Sequence, residues 1–116
     1  MSSRFLTPLR VERIDGKWML TEPLSYYSLS LDRIITAPVG FWTDFASVPR
    51  IPIAYLLFGD VAHEPAVIHD YLYAIGWPSR RIADRVLLEA LESVGASRWR
   101  RWAMWAAVRI GGWAAW

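Results

Sequence analysis

The sequence predicts an α+β domain, a small N-terminal antiparallel sheet followed by about three helices, and three observations carry that reading. Apolar residues alternate in the first third of the chain, Asp15-Gly16 stands between two such runs, and from Pro49 onward the apolar spacing lengthens to three and four residues. At 116 residues there is chain for one domain with a real core. The reading is therefore a single domain over 1–116, with a β-rich part over about 4–48, a helical part over 49–112 and a tail over 113–116.

The first elements follow from the turn. In "LRVERI-DG-KWML", Leu9 and Val11 alternate before the turn and Trp18 and Leu20 after it, and Asp-Gly is a strong two-residue hairpin signal. Two further extended runs, "SYYSLSL" and "RIITAPV", complete the predicted sheet.

Helices follow from caps and breakers. Pro65 suits the first turn of a helix running to about Ile75, and "GWPS" ends it. Ser79 suits the cap of a second helix that stops at Gly95. The third helix is expected from near Ser97 to Gly111-Gly112, with Trp99, Trp102, Trp105 and Val108 or Arg109 recurring at helical spacing. Part of that stripe is expected to cover the helical hairpin.

Composition excludes several function classes. A net charge of +2, spread over scattered arginines, gives no extended nucleic-acid footprint, so no nucleic acid is expected as partner. The absence of cysteine excludes disulfides and thiolate metal sites. "MSSRFLTPLR" lacks the apolar run of a signal peptide, and no window holds the ~18 apolar residues of a membrane span. Neither a transmembrane segment nor a cleaved signal is expected, which suits a host cytoplasm or virion location.

Three polar residues interrupt otherwise apolar helical faces. In the second helix, Arg81, Arg85, Glu89 and Glu92 form a solvated side on which Arg85 and Glu89 are spaced to pair. Asp84 falls instead on or beside the apolar stripe with Leu87, Leu88 and Leu91. In the first helix His69 and Tyr73 share a face, and Asp70 points about 100° away. A buried carboxylate without a partner costs several kcal/mol, so His69 on the neighbouring helix is the expected partner of Asp84. An imidazole held by a carboxylate in an apolar pocket is the working unit of a general base. The same network also serves to pin two helices together, and the spacing leaves both readings open.

The ordered motifs "PVGFWTDFASVPR", "AVIHDYLY", "RIADRVLLEAL" and "MWAAVRIGG" resemble the DUF1353 family, small phage and prophage proteins of unknown function, over about residues 38–112. That resemblance implies a phage context. "HDYLY" followed by "IADRVLLEAL" is similar, over about a quarter of the chain, to the paired catalytic helices of phospholipase A2. That second resemblance implies His69 as general base, Asp84 as the residue orienting it, Tyr73 as a hydrogen-bond partner of Asp84, and Asp70 as a calcium ligand. Where phospholipase A2 places a glycine-rich calcium loop, this chain has "IPIAYLLFGDVAHEP", with Gly59 its only glycine.

Asp44 admits two readings, a cap of its own turn or a second carboxylate with Asp70 for calcium or another divalent cation. Ser47 reads as a turn cap and His63 as a surface residue at a helix start. Trp113 and Trp116, beyond two glycines, are expected to bind a partner, either a second copy of the chain or a phage protein, with a lipid interface as the other option.

Two functions follow. One is a small phage-encoded hydrolase with a phospholipase A2-like site acting on an ester or amide of the host envelope, metal-assisted or not. The other is a non-enzymatic virion, tail or baseplate assembly protein whose Trp-rich end binds neighbouring subunits.

Overall fold

The computed structural model describes residues 2–43, 63–111 and 116. The first segment forms β1 (Arg4–Phe5), β2 (Val11–Ile14), β3 (Lys17–Leu20), β4 (Leu24–Ser28), β5 (Arg33–Ala37) and β6 (Trp42–Thr43). The second forms α1 (His63–Ile75), α2 (Arg80–Ser93) and α3 (Arg98–Gly111). The architecture is α+β, with the strands first.

The expected sheet is divided into two antiparallel sheets of three strands, in the orders β1-β4-β5 and β2-β3-β6. In the second, Ile14 faces Lys17 across Asp15 and Gly16, which have φ of 51° and 78°. Two positive φ values match the turn to the twist of the strands, and Asp and Gly accept them at low cost. In the first, Leu24, Tyr26 and Ser28 point inward while Ser25 and Tyr27 point out, the period-two pattern of a sheet with one buried face. Strands β1 and β6 have two residues each, too few for any alternation to show in the sequence.

Gly76, at φ 64°, ends α1, and four residues, Gly76 to Ser79, lead into α2. There the Ser79 hydroxyl accepts from the Ile82 N–H at 3.2 Å, a cap contributing about 1 kcal/mol. Gly95, at φ 83°, closes the other end, with the Ala96 N–H donating to the Leu91 carbonyl at 3.0 Å. Thus α1 and α2 form the expected helical hairpin.

Leu20, Leu24, Tyr26 and Ile35 from the sheets meet Val67, Ile68, Leu72 and Val86 from α1 and α2 in the main core. A second cluster, Leu87, Leu91, Ala96, Met104 and Val108, fastens α3 to α2. Of the expected stripe, Val108 is buried with Met104 against α2 and Trp105 is half-buried, while Trp99 and Trp102 face outward.

Candidate functional site

The helical hairpin brings the polar residues together. His69 and Tyr73 are four apart on α1, so their side chains lie one above the other, with ring centroids 4.3 Å apart. Asp84, one turn into α2, enters the same space and is fully buried. His69 Nε2 lies 2.7 Å from Asp84 Oδ1, and the Tyr73 hydroxyl donates to that same oxygen at 2.5 Å.

A third donor comes from α3. Arg109 Nη1 donates to Asp84 Oδ2 at 3.0 Å. Arg80, at the start of α2, in turn donates through Nη2 to the Arg109 carbonyl at 2.5 Å, near the end of α3. A cation there also complements the partial negative charge of a helix C-terminus.

Burial by itself pushes the Asp84 carboxyl up, but the hydrogen bonds from His69, Tyr73 and Arg109, with the charge of His69, outweigh it and hold the pKa below the ordinary carboxylate value. Asp84 is therefore an acceptor. Since an ionised carboxylate has no proton to give, His69 donates its Nε2–H to it. Burial, and then the bond to Asp84, push the Tyr73 phenol far above its ordinary pKa, so it remains a donor.

The sequence-derived trio of His69, Asp84 and Tyr73 is thus assembled in one place. Arg109 is the member that spacing did not indicate: it is 25 residues from Asp84, and the sequence shows it only as a neighbour of Val108 on the third helix. An arginine on the helix that docks beside a buried carboxylate was the available signal. Asp70 stands half-buried on α1 beside His69. Asp44, Ser47, Gly59 and Trp113 lie outside the described residues. Among the described residues no group of three or more histidines, cysteines and carboxylates gathers as a metal centre.

Trp116 folds back onto this site. Its ring meets the edge of Tyr73 in a T-shaped contact at 5.1 Å while 42 % of its surface stays exposed.

Glu89 is not on the solvated face where its spacing with Arg85 puts it. It is turned to the sheet, where Tyr26 donates to Oε1 at 2.6 Å and the Ser30 N–H to Oε2 at 3.0 Å. Both oxygens are engaged because a buried tyrosine on β4 needs an acceptor, and Glu89 is the side chain of α2 that reaches it. Burial pushes the Glu89 carboxyl up, and the bonds from Tyr26 and Ser30 more than offset it, leaving its pKa lowered.

A family described as "Protein of unknown function (DUF1353)" matches residues 18–108, a span that holds His69, Tyr73 and Asp84 and stops one residue before Arg109. No curated protein and no solved structure matches the chain. The family match extends from β3 through nearly all of α3, and on that ground the chain belongs to the DUF1353 family.

Proposed function

We propose that this protein is a phage- or prophage-encoded hydrolase with a phospholipase A2-like site, acting on an ester or amide of the host envelope. The observation that carries the reading is the 2.7 Å contact between His69 Nε2 and Asp84 Oδ1, with Tyr73 on the same oxygen. Asp84 fixes the His69 tautomer, so that Nδ1 accepts a proton from water as that water attacks the carbonyl carbon. The resulting imidazolium is stabilised by the ionised Asp84. The proton then passes to the leaving alkoxide or amine, which restores neutral His69. Tyr73 and Arg109 act as positioning residues, because each holds an oxygen of Asp84 and neither needs to touch substrate.

The test is turnover by wild type and His69→Gln on phospholipid and short-chain ester substrates, with and without calcium. The variant keeps most of the side-chain volume and removes the proton acceptor, so turnover should fall to background with the fold retained. Equal rates for both proteins would end the hydrolase reading.

A second reading has an observation of its own. Arg109 takes the other Asp84 oxygen, so that the network joins three helices, as a structural pin does. On that reading the protein is a non-enzymatic virion, tail or baseplate assembly protein, its Trp-rich end binding neighbouring subunits. Equal rates in the turnover experiment would favour it.

A further inference from the structure

Helix α3 has two apolar faces. The inner one, Met104 and Val108, is buried against α2. The outer one is formed by Trp99, Trp102, Ala103, Ala106 and Ile110, whose spacing of three and four residues places them along one side of the helix. Trp99 is 59 % exposed, Trp102 50 % and Ile110 77 %, although they are among the most apolar side chains in the molecule. Among the described residues α3 docks through its inner face, and a helix docked in that way is expected to be polar on the other, so this outer stripe needs a separate explanation.

The charges beside it choose the occupant. Helix α3 carries Arg98, Arg100, Arg101 and Arg109 and has no carboxylate. Arg98 borders the stripe on one side and Arg100 on the other, with the Arg100 guanidinium 5.5 Å from the centre of the Trp99 ring, whereas Arg101 and Arg109 are turned to Glu92 and Asp84. Trp102 packs edge-on against Trp105 at 5.5 Å, which holds its indole in place on the surface. Arginines flanking an indole-rich apolar stripe match the boundary of an anionic bilayer, where indoles settle at headgroup depth and guanidinium groups meet phosphate. From Trp99 to Ile110 the stripe runs about 16 Å, too short to cross a hydrocarbon core but long enough to lie along one. No described helix is long and apolar enough to cross a membrane.

We infer that the outer face of α3 is a docking surface for an anionic phospholipid bilayer, on which the helix lies flat with Trp99, Trp102 and Ile110 inserted. This docking goes beyond the hydrolase reading and does not depend on it, since His69 takes no part.

The experiment is co-sedimentation of the full chain with phosphatidylcholine vesicles containing phosphatidylglycerol, compared with phosphatidylcholine alone. Wild type should sediment with the anionic vesicles and be released by salt, and Trp99→Ala with Trp102→Ala should weaken binding by about tenfold or more. Ile110→Ser gives an independent variant at a more exposed position, should the tryptophan pair disturb folding as judged by circular dichroism. Binding by His69→Gln equal to wild type is expected, which separates this inference from the catalytic one. Failure of wild type to sediment with anionic vesicles would overturn it, as would equal binding by the surface variants. Concentration-dependent dimerisation without vesicles, abolished by the same substitutions, would assign the face to a second copy of the chain instead.

Discussion

Arg109 Nη1 lies 3.0 Å from Asp84 Oδ2, the oxygen that His69 and Tyr73 leave open. The carboxylate is thereby ionised in a position closed to water, and the arrangement has measurable consequences.

Asp84→Asn should be strongly destabilising. It removes the only negative charge in the pair and puts an amide donor where three donors converge, so a loss of about 3–5 kcal/mol is expected from urea unfolding. Arg109 is partly exposed, and Arg109→Gln should cost less, about 1–2 kcal/mol.

The acid limb of stability should belong to Asp84 and Glu89. Each has a folded-state pKa lowered from its ordinary value, by bonds that outweigh burial, so each contributes stability that is complete above the ordinary carboxylate range. That contribution is lost as pH falls below the range and through the lowered values. Chemical unfolding between neutral and acid pH should show a falling ΔG, and Asp84→Asn should flatten the fall. An unchanged slope in the variant would remove Asp84 as a cause.

Tyr26→Phe should destabilise by about 1–2 kcal/mol, because Glu89 loses a donor on a partly buried oxygen while the ring still packs on Phe5. Thermal unfolding of Tyr26→Phe, Glu89→Gln and the double variant would measure the coupling. Purely additive losses would mean that the bond contributes little.

Calcium or magnesium should raise the melting temperature if Asp70, with or without Asp44, holds an ion, and Asp70→Asn should abolish the rise. No response to either ion by the chelated wild type would leave the site to act without a metal.

Trp116→Ala should cost no more than about 1.5 kcal/mol. Its described contact is one edge-on pairing with Tyr73, and much of the ring is solvated. A larger loss in denaturant unfolding would place Trp116 in the core and remove it as a partner-binding residue.

What the sequence made legible was local. Asp15-Gly16 specified a two-residue hairpin, Ser79 and Gly95 marked the ends of α2, and the spacing of His69, Tyr73 and Asp84 put all three on facing sides of one helical hairpin. Relationships across long stretches of chain were not legible in the same way. The division into two sheets depends on β1 and β6, which are too short to show a period. Glu89 is claimed by Tyr26, 63 residues away, and a wheel projection of α2 alone cannot show that claim. Arg109 escaped for the same reason, since the helix that carries it docks by contacts invisible to spacing.

The convergence of three helices on Asp84 also constrains how this chain descends. Replacing Tyr73 or Arg109 singly leaves Asp84 two of its three donors, so as far as the fold is concerned those positions tolerate drift one step at a time. Asp84 has no such freedom, because its loss strands three donors at once. A lineage that abandons this aspartate must pass through a poorly folded ancestor or exchange several of these residues together. Members of the family should therefore keep the carboxylate together with the histidine while the tyrosine and arginine vary, or lack the whole set.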